Sequence, residues 1–171
     1  MHSLKSLKDF TGRFRSQIRV QFNWKRFLAE GWQTTETLLT STSDLEGCVL
    51  PWYLGLNGEE TAYDRLGARP LRLLEISERL ESLDRARQAC IWKYVQLYSQ
   101  EKKPFTLAVP AYSLPNGDFL LMSGGRRLAA ALLAQVPILV AMFSVEGPVE
   151  RDCLLDLRHW QTSLRLSSVI V

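Results

Sequence analysis

Five consecutive residues, Ser123-Gly124-Gly125-Arg126-Arg127, combine the residue types that hold an anion. A glycine pair lets the backbone turn tightly and come close to a ligand. The first amides of a following helix have no intrahelical partners, and the helix dipole puts partial positive charge there. Two arginines in the first turn add bidentate donors that match phosphate geometry. Phosphate is the expected anion. Taken alone the pattern is modest, because a Gly-Gly turn with surface arginines also occurs in chains that bind nothing. The chain has no Walker A lysine pattern and no GxGxxG, so the common mononucleotide and dinucleotide loops are absent.

Other residues invite chemistry less specifically. Asp118 follows the turn dipeptide Asn116-Gly117, where turn chemistry is its ordinary role and a metal carboxylate the alternative. Asp152, Asp156 and His159 would share one face of a helix, as metal ligands or a general base, or simply as a solvated face. The site expectation contains no metal. Trp24, Trp32 and Trp52 are of the type that stacks bases, although tryptophan more often packs a core. Cys48, Cys90 and Cys153 are odd in number and widely spaced, with no CxxC. That argues against a disulfide framework and a cysteine zinc site, and for reduced thiols in a cytoplasmic protein.

The elements that must position the Gly-Gly-Arg-Arg turn are legible in outline. The 171 residues are 46% hydrophobic and 23% charged, which suits one domain with a real core and excludes disorder. The net charge of +3 is unevenly spread. Residues 1–26 hold seven basic residues (Lys5, Lys8, Arg13, Arg15, Arg19, Lys25, Arg26) against Asp9 alone. The remainder holds fourteen basic and seventeen acidic residues. No stretch is long and apolar enough for a transmembrane segment; Gln135 and Pro137 break the best candidate, Leu128 to Phe143.

Leu4, Leu7, Phe10, Phe14, Ile18 and Phe22 recur at helical spacing, so residues 4–28 read as an amphipathic helix. Its basic face would be solvated, or would serve as a nucleic-acid arm giving salt-dependent affinity. Residues 31–70, rich in Thr, Ser, Gly and Pro, read as an irregular packing segment. A short strand is expected at 71–76, then a helix over 78–98 capped by Ser77, with Leu80, Leu83, Ala86, Cys90, Tyr94 and Leu97 on its inner face. Phe105–Val109 reads as a strand, Asn116-Gly117 as a hairpin turn and Asp118–Met122 as the return strand. A helix over 126–135, a strand over 137–143 and a helix over 149–160 follow; Val169, Ile170 and Val171 could add a strand.

The run Pro104–Val109, the Asn116-Gly117 hairpin, Phe119–Ala130 with its Gly-Gly-Arg-Arg box, and Val136–Val140 together resemble the N-terminal domain of the ParB family. More broadly, the chain is similar to the ParB/sulfiredoxin superfamily over residues 71–143. The resemblance implies an α+β fold with a small mixed sheet, a hairpin and packing helices over 71–171, preceded by the basic helix of 1–30 and the irregular segment of 31–70. In the nucleotide-binding version the box reads Gly-Glu-Arg-Arg-x-Arg-Ala. Gly124, Arg126, Arg127 and Ala130 match it, while Gly125 lacks the glutamate and Ala129 the third arginine. In sulfiredoxin-like members a catalytic cysteine stands where this chain has Gly125, so that activity is rejected. In nuclease-like members an Asp precedes the glycine, where this chain has Ser123. No cofactor is dictated by the residues; a nucleoside triphosphate with magnesium is what the resemblance would supply. The function expected is binding of a nucleotide or a DNA backbone, with weak nuclease or nucleoside-triphosphatase activity as the enzymatic version. The alternative is an inactive adaptor acting through a protein partner.

Overall fold

The computed structural model describes residues 3–18 and 21–161, a mixed α+β domain built around one sheet. The strands are β1 (Gln33–Leu39), β2 (Cys48–Leu54), β3 (Glu60–Thr61), β4 (Arg69–Arg72), β5 (Phe105–Ser113), β6 (Phe119–Leu121) and β7 (Ile138–Glu146). They lie in the order β1-β7-β5-β6-β2-β3, with β4 on the other edge of β2. The β5/β7 and β2/β6 pairs are parallel, and the others are antiparallel.

Both faces of the sheet are covered. On one face, α4 (Arg85–Glu101) and α5 (Gly125–Leu133) enclose a core that includes Leu50, Trp52, Val109, Ile91 and Leu128–Ala131. On the other, α1 (Ser3–Phe14) and α2 (Trp24–Glu30) bring Leu7, Phe10, Phe14 and Phe27 against Tyr112, Leu120 and Val145. Strand residues therefore alternate between two cores, not between a core and water. Met142 belongs to the first and Val145 to the second. Each fully buried leucine or phenylalanine contributes roughly 1.5–3 kcal/mol of burial.

This two-sided covering corrects the irregular reading of residues 31–70, which supply three of the seven strands and the start of a fourth. In β2, every residue but Pro51 is buried, because apolar partners wait on both faces. No alternation survives in such a strand. β1 fails to alternate for the opposite reason: it is an edge strand, and only Leu39 of its seven residues is buried. Its threonines are β-branched and suit an extended backbone paired along β7.

The helix expected over 4–28 is divided. α1 ends at Phe14, and α2 starts at Trp24 behind Asn23, whose side-chain oxygen accepts from the Arg26 amide at 3.0 Å. Phe22 forms a β-bridge with Leu154 in between. The helix expected from 78 starts at Arg85, because Asp84 caps it by accepting from the Arg87 amide. Ser77 lies instead in α3 (Ile76–Arg79). The inner face of α4 is carried by Ile91 and Val95, while Leu97 is exposed. Strand 71–76 begins earlier, as β4, and gives way to a 3-10 turn at Leu73. Instead of a helix from 149, residues 151–157 form turns and a 3-10 segment, which places Cys153, Leu154 and Leu157 in the second core. The tail Val169-Ile170-Val171 lies outside the described residues. No helix among the described residues is long and apolar enough to cross a membrane.

Candidate functional site

The Gly-Gly-Arg-Arg turn opens onto a cleft of about 800 Å³ at the carboxyl ends of the parallel strands β2 and β6. Its origin is in the pairing of β2. One edge of β2 is shared, with β6 taking Cys48 and Val49 and β3 taking Tyr53 and Leu54. No strand pairs that edge at Leu50, Pro51 and Trp52, and Pro51 has no amide to offer. β6 ends at Leu121, and the chain turns through Ser123 and Gly124 into α5 beside this gap. Crevices outside the carboxyl ends of parallel strands are the usual place for ligands in such sheets.

All five residues of the turn line the cleft. Gly124 caps α5 at φ +81°, the left-handed region that favours glycine. A Cβ there would lie 2.9 Å from Val109 Cγ1, and one on Gly125 would lie 2.8 Å from Leu50 Cδ2. The glycine pair is thus required by packing of the turn on the sheet. Gly124→Ala should destabilise the fold by about 1–3 kcal/mol. Urea unfolding measures this; an unchanged midpoint would contradict the packing described.

Among the described residues no side chain caps α5. Its first amides are therefore left to solvent or a ligand, with the positive end of the helix dipole behind them. Arg126 is exposed and Arg127 half-buried. Neither guanidinium has a carboxylate partner among the described residues; Arg126 Nη1 lies 3.8 Å from the Cys90 thiol, which also lines the cleft.

Of the other wall residues, Trp52 and Asp156 are candidates from the sequence, whereas Arg87, Glu60 and Tyr53 are not legible there as site residues. Arg87 of α4 sits over the Trp52 ring at 4.4 Å, and its Nη2 lies 2.8 Å from Glu60 of β3. Glu60 also accepts from the Asp84 amide at 2.7 Å, so this carboxylate is fully engaged. Tyr53 and Asp156 line the cleft too, the phenol donating to Asp156 Oδ1 at 2.5 Å. His159 stacks on Tyr53 with ring centroids 4.7 Å apart. Burial pushes the Asp156 carboxyl pKa up and the His159 pKa down. Both shifts favour the uncharged forms. A signal for Tyr53 and Trp52 existed, since two aromatic residues follow a proline in a glycine-punctuated segment. None existed for Asp156 beside Tyr53, a contact 103 residues apart in sequence.

Asp156 gives a pH prediction of its own. A carboxyl whose folded pKa is raised contributes stability below the ordinary aspartate value, and that contribution is lost as pH rises through the folded value. Asp156→Asn removes this loss. Its urea midpoint should match the native protein near pH 3 and exceed it at pH 8. A variant equally destabilised at both values would contradict the assignment.

The remaining candidates are used elsewhere. Asp118 accepts from Arg72 at 2.8 Å and from the Asn116 amide group at 2.9 Å, as turn chemistry. Asp152 is 3.2 Å from Arg26, so the common helix face of Asp152, Asp156 and His159 does not form. Among the described residues no three His, Cys, Asp or Glu side chains are placed to hold a metal ion. Cys48 and Cys153 are buried, and burial pushes the Cys48 thiol up to about 11. Trp32 is buried in the second core, where Trp24 also packs.

The basic N-terminal segment is not a free arm. Arg26 is bound to Glu30 at 2.7 Å and Glu150 at 2.8 Å, and these contacts raise its pKa further. The Arg13 guanidinium lies over Phe143 at 4.8 Å and Arg15 over Trp24 at 5.9 Å. Lys8 and Lys25 are exposed, Lys5 belongs to α1, and Arg19 lies outside the described residues. The segment reaches the cleft through uncharged Ser16, Gln17 and Gln21. No protein-family model, curated protein or solved structure matches this chain.

Proposed function

We propose that the cleft binds a phosphate-bearing ligand of nucleotide size, with the amides of α5 and the Arg126 and Arg127 guanidinia on the phosphates. The observation that carries this is the meeting, in one cleft of about 800 Å³, of a helix N-terminus without a side-chain cap and two arginines that have no carboxylate partner among the described residues. That volume lies in the range of small-ligand sites, roughly 300–1,000 Å³. The aromatic residues Trp52, Tyr53, Tyr63 and Tyr94 on its walls suit a planar ring. A nucleotide is favoured over a DNA backbone, because Arg13, Arg15 and Arg26 are engaged with this chain's own rings and carboxylates.

On this reading the chain carries a ParB/sulfiredoxin-like domain. The succession β5, hairpin, β6, glycine box, α5 and β7 supports that assignment. Binding comes first in the proposal; hydrolysis is its enzymatic extension. The test is calorimetric titration of the full chain at low salt with tripolyphosphate, the four common nucleoside triphosphates with magnesium, and duplex DNA. Saturable binding of tripolyphosphate and at least one triphosphate, lost in the Arg126→Ala/Arg127→Ala variant, supports the proposal. Binding that the double variant retains overturns it. Phosphate release followed in the same samples reads the enzymatic extension.

A further inference from the structure

The cleft has two chemically different walls. The α4/α5 side is cationic, and Asp156 is contributed by the opposite side, with Leu155, Ser16, Gln17 and Gln21 among its described neighbours along the cleft. Of the two carboxylates lining the cleft, Glu60 is neutralised by Arg87. Asp156 has no guanidinium or ammonium partner among the described contacts; its described partner is the Tyr53 hydroxyl on Oδ1. That bond fixes the carboxyl through Oδ1. Tyr53 is itself held from behind by His159, stacked at 28°. A phosphate would be repelled from such a carboxylate, so the anion and Asp156 belong to different ends of one ligand.

We propose that Asp156, oriented by Tyr53, is the base-reading group of the cleft, accepting a hydrogen bond from the exocyclic amine of a nucleobase whose phosphates lie on the α5 turn. The proposal rests on the phosphate-binding reading above and adds a selectivity to it. Adenine, cytosine and guanine carry an exocyclic amine; uracil presents carbonyl oxygens there. An acceptor carboxylate rewards the first three and rejects the fourth.

The test compares tripolyphosphate, ATP, CTP, GTP and UTP on the full chain at pH 8, for the native protein and Asp156→Asn. The asparagine keeps the shape, can still accept from Tyr53, and turns a donor toward the ligand. At least one amine-bearing triphosphate should bind the native protein about tenfold more tightly than UTP, the scale of a single base-edge discrimination. Asp156→Asn should abolish or invert that preference while leaving tripolyphosphate affinity unchanged. Equal affinities of the native protein for UTP and the other three overturn the inference without needing the variant. A preference that survives Asp156→Asn also overturns it. In both cases tripolyphosphate still binds and the phosphate site stands. If tripolyphosphate fails to bind, the phosphate-binding reading falls and this inference falls with it.

Discussion

Arg126→Ala combined with Arg127→Ala is expected to weaken tripolyphosphate binding roughly 100-fold or more, at unchanged helix content. Hydrogen bonds to charged groups are worth about 1.5–3 kcal/mol each, so losing two costs about 3 kcal/mol or more. The fold should tolerate the change. Arg126 is exposed, Arg127 half-buried, and neither holds an ion pair among the described residues. The helix is anchored by Leu128, Ala129, Ala130 and Ala131, all fully buried. Circular dichroism and the urea midpoint check the fold, and titration checks the affinity. The residual affinity should come from the helix amides and the dipole, and it should fall with added salt as exposed charges are screened.

Phe14→Ala is expected to destabilise the protein by about 3–5 kcal/mol, the cost of truncating a buried phenylalanine. Phe14 is completely buried; its ring centroid lies 5.0 Å from that of Phe10 and 5.3 Å from that of Phe143 on β7. The cost arises because α1 and α2 together cover the second core, and Phe14 is buried within it. A loose basic arm would make the same substitution nearly neutral, so urea unfolding separates the two descriptions. Deleting residues 1–26 would likewise strip the second core and not merely remove charge. Such a deletion is therefore a poor test of nucleic-acid contact.

The contrast between α1 and α5 explains what the sequence could and could not disclose. Both helices were visible as periodic or alanine-rich stretches, and the turn before α5 was visible because glycine pairs and arginines have few other uses at a strand-helix junction. Those are local signals. The apolar stripe of α1 is equally visible, but its partners, Phe143 and Val145, come from β7. No local pattern states whether a basic amphipathic helix covers a core or meets phosphate. β2 was missed because burial on both faces removes alternation, and β1 because an edge position leaves its threonines exposed. The cleft inherits this difficulty. Its phosphate end is one contiguous pentapeptide, whereas its other wall joins β2 to a turn 103 residues later. The sequence presents Asp156 only as part of a helix face that does not exist, since residues 151–157 are not α-helical. Arg87 and Glu60 carry no signal in the sequence, because each is an ordinary polar residue until β3 and α4 meet beside Trp52.

The most direct measurement of the central claim is a tripolyphosphate titration of ¹⁵N-labelled protein followed by amide chemical shifts. The largest shifts are expected at Gly124, Gly125, Arg126 and Arg127, saturating together, with small changes at Lys8, Lys25 and the rest of the basic N-terminal segment. Shifts concentrated on that segment, or none at the α5 turn at saturating tripolyphosphate, would contradict it.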